Sequence, residues 1–194
     1  MDSGELLTKY ARGTRDFRGV VLRGADFHEA ELAGIDLREA DLSRTSFMGA
    51  NLSRANLSRA ILYRSNLFGA NLRSVVLVWA VLFGAMLSES DLLGANLSGA
   101  TLRRADISGA SLAQTDLCDA NCIQATFYLS DLTEANLRGA NLRSAELRRV
   151  VLRGACLVRA NLRNADLREA DLANARLSFA KLTGTIMPDG RVHG

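Results

Sequence analysis

The chain has 194 residues, with 24 lysines and arginines against 21 acids, a net charge of +3. Hydrophobic residues make up 48 % of it, but they are spaced out and never gather into a run long enough to span a bilayer as a helix. The start, Met1-Asp2-Ser3-Gly4-Glu5, lacks the basic and apolar regions of a secretory leader, so a cytoplasmic protein is expected.

In chain order, residues 1–14 form a segment of their own. Glu5-Leu6-Leu7-Thr8-Lys9-Tyr10 suits one or two helical turns with Leu6, Leu7 and Tyr10 on one side, a lid for whatever follows. From Phe17 to Met187 every fifth residue is Leu, Phe, Ile, Met or Cys, thirty-five positions without a slip. Two residues before each stands Ala or another small or β-branched residue, as at Ala25, Ala30, Ile35, Ala40, Thr45 and Ala50. Such a repeat fixes architecture before any other signal. Five is neither the helical period of 3.6 nor the strand period of 2. It requires a unit that turns a corner every five residues and brings each fifth side chain inward. Four units then close a square coil of 20 residues, and coils stacked at roughly 4.8 Å make a rod about 40 Å long. Gly recurs at the last repeat position (Gly19, Gly24, Gly34, Gly49), where a tight turn demands positive φ. Pro188-Asp189-Gly190 reads as a turn just past the last repeat, and 188–194 as a short polar tail. The unbroken phase makes 15–187 a single solenoid with a cap and a tail.

The units Ala50-Asn51-Leu52-Ser53-Arg54, Ala95-Asn96-Leu97-Ser98-Gly99, Ala135-Asn136-Leu137-Arg138-Gly139 and Ala165-Asp166-Leu167-Arg168-Glu169 resemble those of the pentapeptide-repeat family, over about nine tenths of the chain. That resemblance implies an all-β fold, a right-handed quadrilateral β-helix. The termini, Gly4-Glu5-Leu6-Leu7 with Tyr10 and Ile186-Met187-Pro188-Asp189-Gly190 with His193, resemble those of cyanobacterial members, among them the heterocyst-differentiation regulator. Other members protect gyrase and are thought to mimic duplex DNA, which makes a modulator of a type II topoisomerase the alternative function.

The residues offer little for catalysis. Carboxylates at the second repeat position, such as Asp36, Asp41, Asp106 and Asp166, interchange with Asn51, Asn56, Asn96 and Asn136, which suits hydrogen bonding at turns and not acid–base work. No phosphate loop or nucleophile elbow is present. Cys118, Cys122 and Cys156 read as free thiols, and His28 and His193 lie at opposite ends of the rod, so no metal or cofactor is expected. An enzyme is not the reading.

Function must then lie on the outer surface. Counted along the chain, charge alternates. Residues 16–41 hold seven acids against three arginines, and 44–73 hold Arg44, Arg54, Arg59, Arg64 and Arg73 with no acid. Residues 89–134 hold seven acids against Arg103 and Arg104, and 138–168 hold Arg138, Arg143, Arg148, Arg149, Arg153, Arg159, Arg163 and Arg168 against two acids. A close mimic of DNA needs a continuous acidic face, which two basic belts oppose. Acidic bands between the belts would likewise interrupt a nucleic-acid track. Between the second and third bands, outward positions carry Ile61, Tyr63, Phe68, Val76, Val78, Trp79, Val81, Phe83 and Met86, where other coils hold Ser, Arg, Asn or Asp. This is the composition of an interface core, with a partner protein or a second copy as its occupant.

Overall fold

Each repeat closes a turn and each four close a coil. The computed structural model describes residues 1–194. In every repeat the backbone N–H after the corner donates to the carbonyl three residues back, as from Ala25 to Leu22 at 3.1 Å. The third residue of that turn has positive φ, 66° at Gly24 and 59° at Arg44, the signature of a type II turn. The Asp or Asn before the inward residue ties the turn from the other side. Its Oδ1 accepts the N–H two residues on, as from Ser58 to Asn56 at 3.0 Å and from Arg38 to Asp36 at 3.2 Å. Asn and Asp accept this bond equally well, which is why they interchange.

Coils pair in parallel with a register of twenty, from Asp16 with Asp36 to Asp166 with Ile186. The rungs are short but unbroken. Leu22 N–H donates to Asp41 O at 2.8 Å and Asp41 N–H to Val20 O at 2.9 Å, and the pattern repeats on each side.

Four inward columns define four faces. Face 1 rises from Phe17 through Leu37 and Leu57, face 2 from Leu22 through Leu42 and Leu62, face 3 from Phe27 through Phe47 and Leu67, and face 4 from Leu32 through Leu52 and Leu72. These residues and the small ones beside them form one core of 55 buried residues. Phe27 and Phe47 stack within it, ring centroids 5.3 Å apart. Hydroxyls that replace inward Ala are satisfied internally: Ser65 donates to Leu62 O at 2.9 Å and Thr45 to Leu22 O at 2.8 Å. No buried side-chain polar atom lacks a hydrogen-bond partner.

At the N-terminal end, helix α1 (Ser3–Ala11) closes the first coil. Asp2 caps it by accepting from Glu5 N–H at 2.8 Å, and Lys9 pairs with Glu5 one turn back. Leu6 is buried against the core, and Tyr10 donates its hydroxyl proton to Ala33 O at 2.7 Å. At the other end, the tail folds back on the rod. Gly190 N–H donates to Met187 O, and Val192 pairs antiparallel with Ile186. It covers only the side of residues 184–187, so Leu172, Leu177 and Leu182 of the last coil remain half-buried. No helix is long and apolar enough to cross a membrane.

Candidate functional site

Three of every five residues face outward: the one before the inward residue and the two after it. The nine apolar residues singled out in the sequence occupy such positions on neighbouring coils and wrap three faces. Val76, Val78 and Trp79 lie on face 1 and its corner, Ile61, Tyr63, Val81 and Phe83 on face 2, and Phe68 and Met86 on face 3. Trp79 is 63 % exposed, and Ile61, Phe68, Val81 and Met86 are between 36 % and 46 % exposed, while the other four are half-buried.

The geometry is centred on face 2. Ile61 and Val81 are bridged rung to rung. Beside them the rings of Tyr63 and Phe83 stack at 5.8 Å, inclined by 14°. The Arg64 guanidinium lies 5.4 Å from the Tyr63 ring centre and that of Arg103 lies 6.0 Å from Phe83. Trp79 sits at the corner in the left-handed conformation, φ 58°, its ring laid over Gly99 of the next coil.

This band costs the coil something. Ile61, Val76, Val81 and Met86 stand where Asp or Asn would tie the turn, and the N–H groups of Tyr63, Val78, Phe83 and Ser88 have no protein acceptor. Each lost bond forgoes about 0.5–1.5 kcal/mol. The same tie is missing in other repeats, as at the N–H groups of Arg23, Met48, Tyr128 and Val158, so what sets this band apart is the clustering of apolar residues at its outward positions.

Charge is arranged otherwise than the linear count suggests. Each basic belt is spread over several faces of the rod instead of forming a patch: three faces for the first, all four for the second. Of the first, Arg44 and Arg64 lie on face 2, Arg54 and Arg73 on face 4, and Arg59 on face 1. Of the second, Arg143 and Arg163 lie on face 2, Arg138 and Arg159 on face 1, Arg148, Arg149 and Arg168 on face 3, and Arg153 on face 4.

Sorted by face, the expected interruption by acidic bands disappears on one side. Face 2 with its corner carries Arg23, Arg44, Arg64, Arg103, Arg104, Arg143, Arg163 and Lys181 against the single acid Asp41. Burial opposes ionisation of Asp41, but hydrogen bonds from Ser43 and Arg23 hold its carboxyl below the ordinary range. The acids of 89–134 all point elsewhere: Glu89 and Asp106 to face 3, Asp91, Asp131 and Glu134 to face 4, and Asp116 and Asp119 to face 1. A period of twenty carries this sorting, and counting along the chain misses it.

The cysteines are all free. Cys122 points inward and burial pushes its thiol up to about 12, while Cys118 and Cys156 lie on face 1 two coils apart. No group of His, Cys, Asp and Glu is arranged to hold a metal ion.

Comparison with known proteins agrees with this architecture. The family model of pentapeptide repeats matches in eight copies, over residues 16–44, 60–99, 76–112, 95–133, 130–168 and 157–187. Among solved structures, the chain is similar to HetL, a pentapeptide repeat protein involved in heterocyst differentiation regulation from the cyanobacterium Nostoc sp. strain PCC 7120. The two are 33 % identical over the whole of both chains, with a TM-score of 0.35. It is also similar to QnrB1, a plasmid-mediated fluoroquinolone resistance protein, at 19 % identity over 87 % of this chain and 85 % of that one, with a TM-score of 0.48. A pentapeptide repeat protein from the thylakoid lumen of Arabidopsis thaliana is 29 % identical over 50 % of this chain and 70 % of its own, with a TM-score of 0.32. A search of curated proteins found no match. Repeat, register and family match together show that the chain belongs to the pentapeptide repeat family, whose members fold as right-handed quadrilateral β-helices.

Proposed function

We propose that the protein is a non-enzymatic, regulatory interaction module of the cytoplasm that docks a partner protein on the apolar band around face 2. One observation carries the reading: Trp79, Ile61, Phe68, Val81 and Met86 are exposed together on neighbouring coils, at positions that point away from the core. Apolar surface left in water costs roughly 25 cal/mol per Å². A cover of protein removes that cost, and aromatic residues beside arginines are what interface centres are made of. The regulatory part rests on the likeness to HetL, and the cytoplasmic setting on three cysteines that are all unpaired.

DNA mimicry fits less well. Duplex DNA would present roughly two dozen charges along a 40 Å rod. Face 3, the most acidic, offers Asp26, Glu29, Glu89, Asp106, Glu146, Asp166 and Glu169, broken by Arg148, Arg149 and Arg168. Purified protein is expected to show no strong inhibition of gyrase supercoiling, and potent, DNA-competitive inhibition would promote the mimic.

The interaction reading is tested with Trp79→Ser combined with Phe83→Ser. Neither side chain fills the core, so the coil should keep its circular dichroism. Partner recovery from native lysate should fall, or a dimer seen by light scattering should dissociate. Unchanged mass and unchanged recovery would reduce the band to ordinary surface.

A further inference from the structure

The geometry points to a partner that is acidic: a protein surface with an apolar centre and carboxylates on both sides, laid along face 2 parallel to the rod axis. This inference rests on the protein-docking reading and names the chemistry of the partner.

Face 2 differs from the other faces in how its cations are held. Elsewhere arginines are often spent on neighbouring carboxylates: Arg18 on Asp16 at 2.7 Å, Arg38 on Asp36 at 2.6 Å, Arg149 on Glu169 at 2.7 Å. On face 2 only Arg23 has such a partner, Asp41 at 2.7 Å, and the remaining seven cations have none.

They also stack on their own kind. Arg44 lies one coil below Arg64, Arg143 one coil below Arg163, and Arg103 and Arg104 are adjacent. Coils are only about 4.8 Å apart, and like charges directly opposite on a ladder destabilise it. The fold gains nothing from this repulsion, and an anionic surface laid across the face relieves it. The positions between are neutral hydrogen-bonding groups, such as Asn141 and Asn161, bonded to each other at 3.2 Å.

The apolar centre lies within this track, not beside it. Ile61, Tyr63, Val81 and Phe83 are flanked by Arg44 and Arg64 toward the N-terminal end and by Arg103 and Arg104 toward the C-terminal end. A concavity of about 460 Å³, lined by Arg23, Gly24, Ser43, Arg44 and Tyr63, opens where the centre meets the first cations.

The same elements argue against a nucleic acid strand. Single strands bind where successive aromatic faces are offered to bases. Here one aromatic pair exists on the face, and its rings are stacked on each other. Ile61 and Val81 beside them offer no stacking surface at all. An apolar centre ringed by unpaired cations suits a protein whose own centre is apolar and whose rim is acidic.

The test uses a fluorescein-labelled peptide with Leu-Phe-Leu between two runs of five glutamates. Its counterpart with lysines and a single-stranded DNA of similar charge serve as comparisons, all followed by anisotropy on the full chain. The acidic peptide should bind at low salt, lose about tenfold at physiological salt, and bind more tightly than the DNA, while the lysine peptide stays free. Arg64→Glu with Arg104→Glu should weaken the acidic peptide by about tenfold or more, and the neutral pair Arg64→Gln with Arg104→Gln should weaken it by less. Arg54→Glu with Arg73→Glu on face 4 makes the same change in net charge and should leave affinity within about twofold. No binding of the acidic peptide, equal loss from the face 4 pair, or tighter binding of the DNA would each overturn the inference. A natural partner that depends on Trp79 and Phe83 but not on Arg64 and Arg104 would overturn it while leaving the docking reading standing.

Discussion

Trp79 is the only tryptophan in the chain, and its place on the surface depends on a glycine one coil away. Gly99 has φ +65°, and a methyl group there would sit 2.6 Å from Cε3 of the indole, so Gly99→Ala must displace the ring. Two costs are involved. The left-handed backbone costs an L-residue about 1–2 kcal/mol, offset by about 0.5–1 kcal/mol because alanine loses less entropy on folding than glycine. The second cost is the indole's seat. The ring is 63 % exposed, so about a third of its surface is covered. For a side chain that can bury about 250 Å², that third is worth at most about 2 kcal/mol. Gly94→Ala separates the two costs. Gly94 has φ +64°, but the nearest atom to its added methyl, Oγ of Ser74, is 3.9 Å away. Gly94→Ala should therefore cost about 0.5–1 kcal/mol, and Gly99→Ala about 2–3 kcal/mol. Urea unfolding followed by circular dichroism measures both, and indole emission should shift to the red in the folded Gly99→Ala protein alone. Equal costs for the two variants with unchanged emission would refute the seat, and with it the fixed presentation of Trp79 to a partner.

Three other outcomes follow from the same structure. Leu92 is buried in the face 4 column, and Leu92→Asp should cost more than about 4 kcal/mol by placing a carboxylate without partners in the core; a variant with unaltered thermal stability would refute the inward assignment. Hydrogen bonds from Arg18, Arg38 and Arg168 hold Asp16, Asp36 and Asp166 below the ordinary 3.8, Asp16 at about 2, so the unfolded chain takes up protons first and stability present above pH 3.8 is lost as the pH falls toward 2. Asp36→Asn with Asp166→Asn keeps the turn acceptors but removes the charges, and the thermal midpoint should then fall less steeply in acid; an unchanged slope would contradict this. Cys122, whose thiol burial pushes up to about 12, should resist thiol reagents in the native protein while Cys156 reacts, as peptide mapping of the labelled chain would show.

Much of the fold was legible because a single rule generates it. Leu52, Leu72, Leu92 and Leu112 share a column because five residues make a side and twenty make a coil, and one-dimensional stacking leaves no long-range choice open. The interchange of Asp36 with Asn56 and Asn96 was legible too, since either side chain ties the turn. The apolar band could be found as a departure from the repeat. The tail was harder to read. The return of Val192 to Ile186 depends on a free edge at the end of the rod, which no local pattern encodes.

By itself the sequence determined the period, the inward columns and the set of outward apolar residues, because these follow from which side chains can share a crowded interior. The tertiary structure decided how charge is grouped. Arg103 and Arg143 lie forty residues apart with Asp106, Asp116 and Asp131 between them, yet they share face 2 while those acids turn to faces 3, 1 and 4. Electrostatic interaction depends on distance through space and is screened beyond about 10 Å, so grouping by face and not order along the chain sets the field a partner meets.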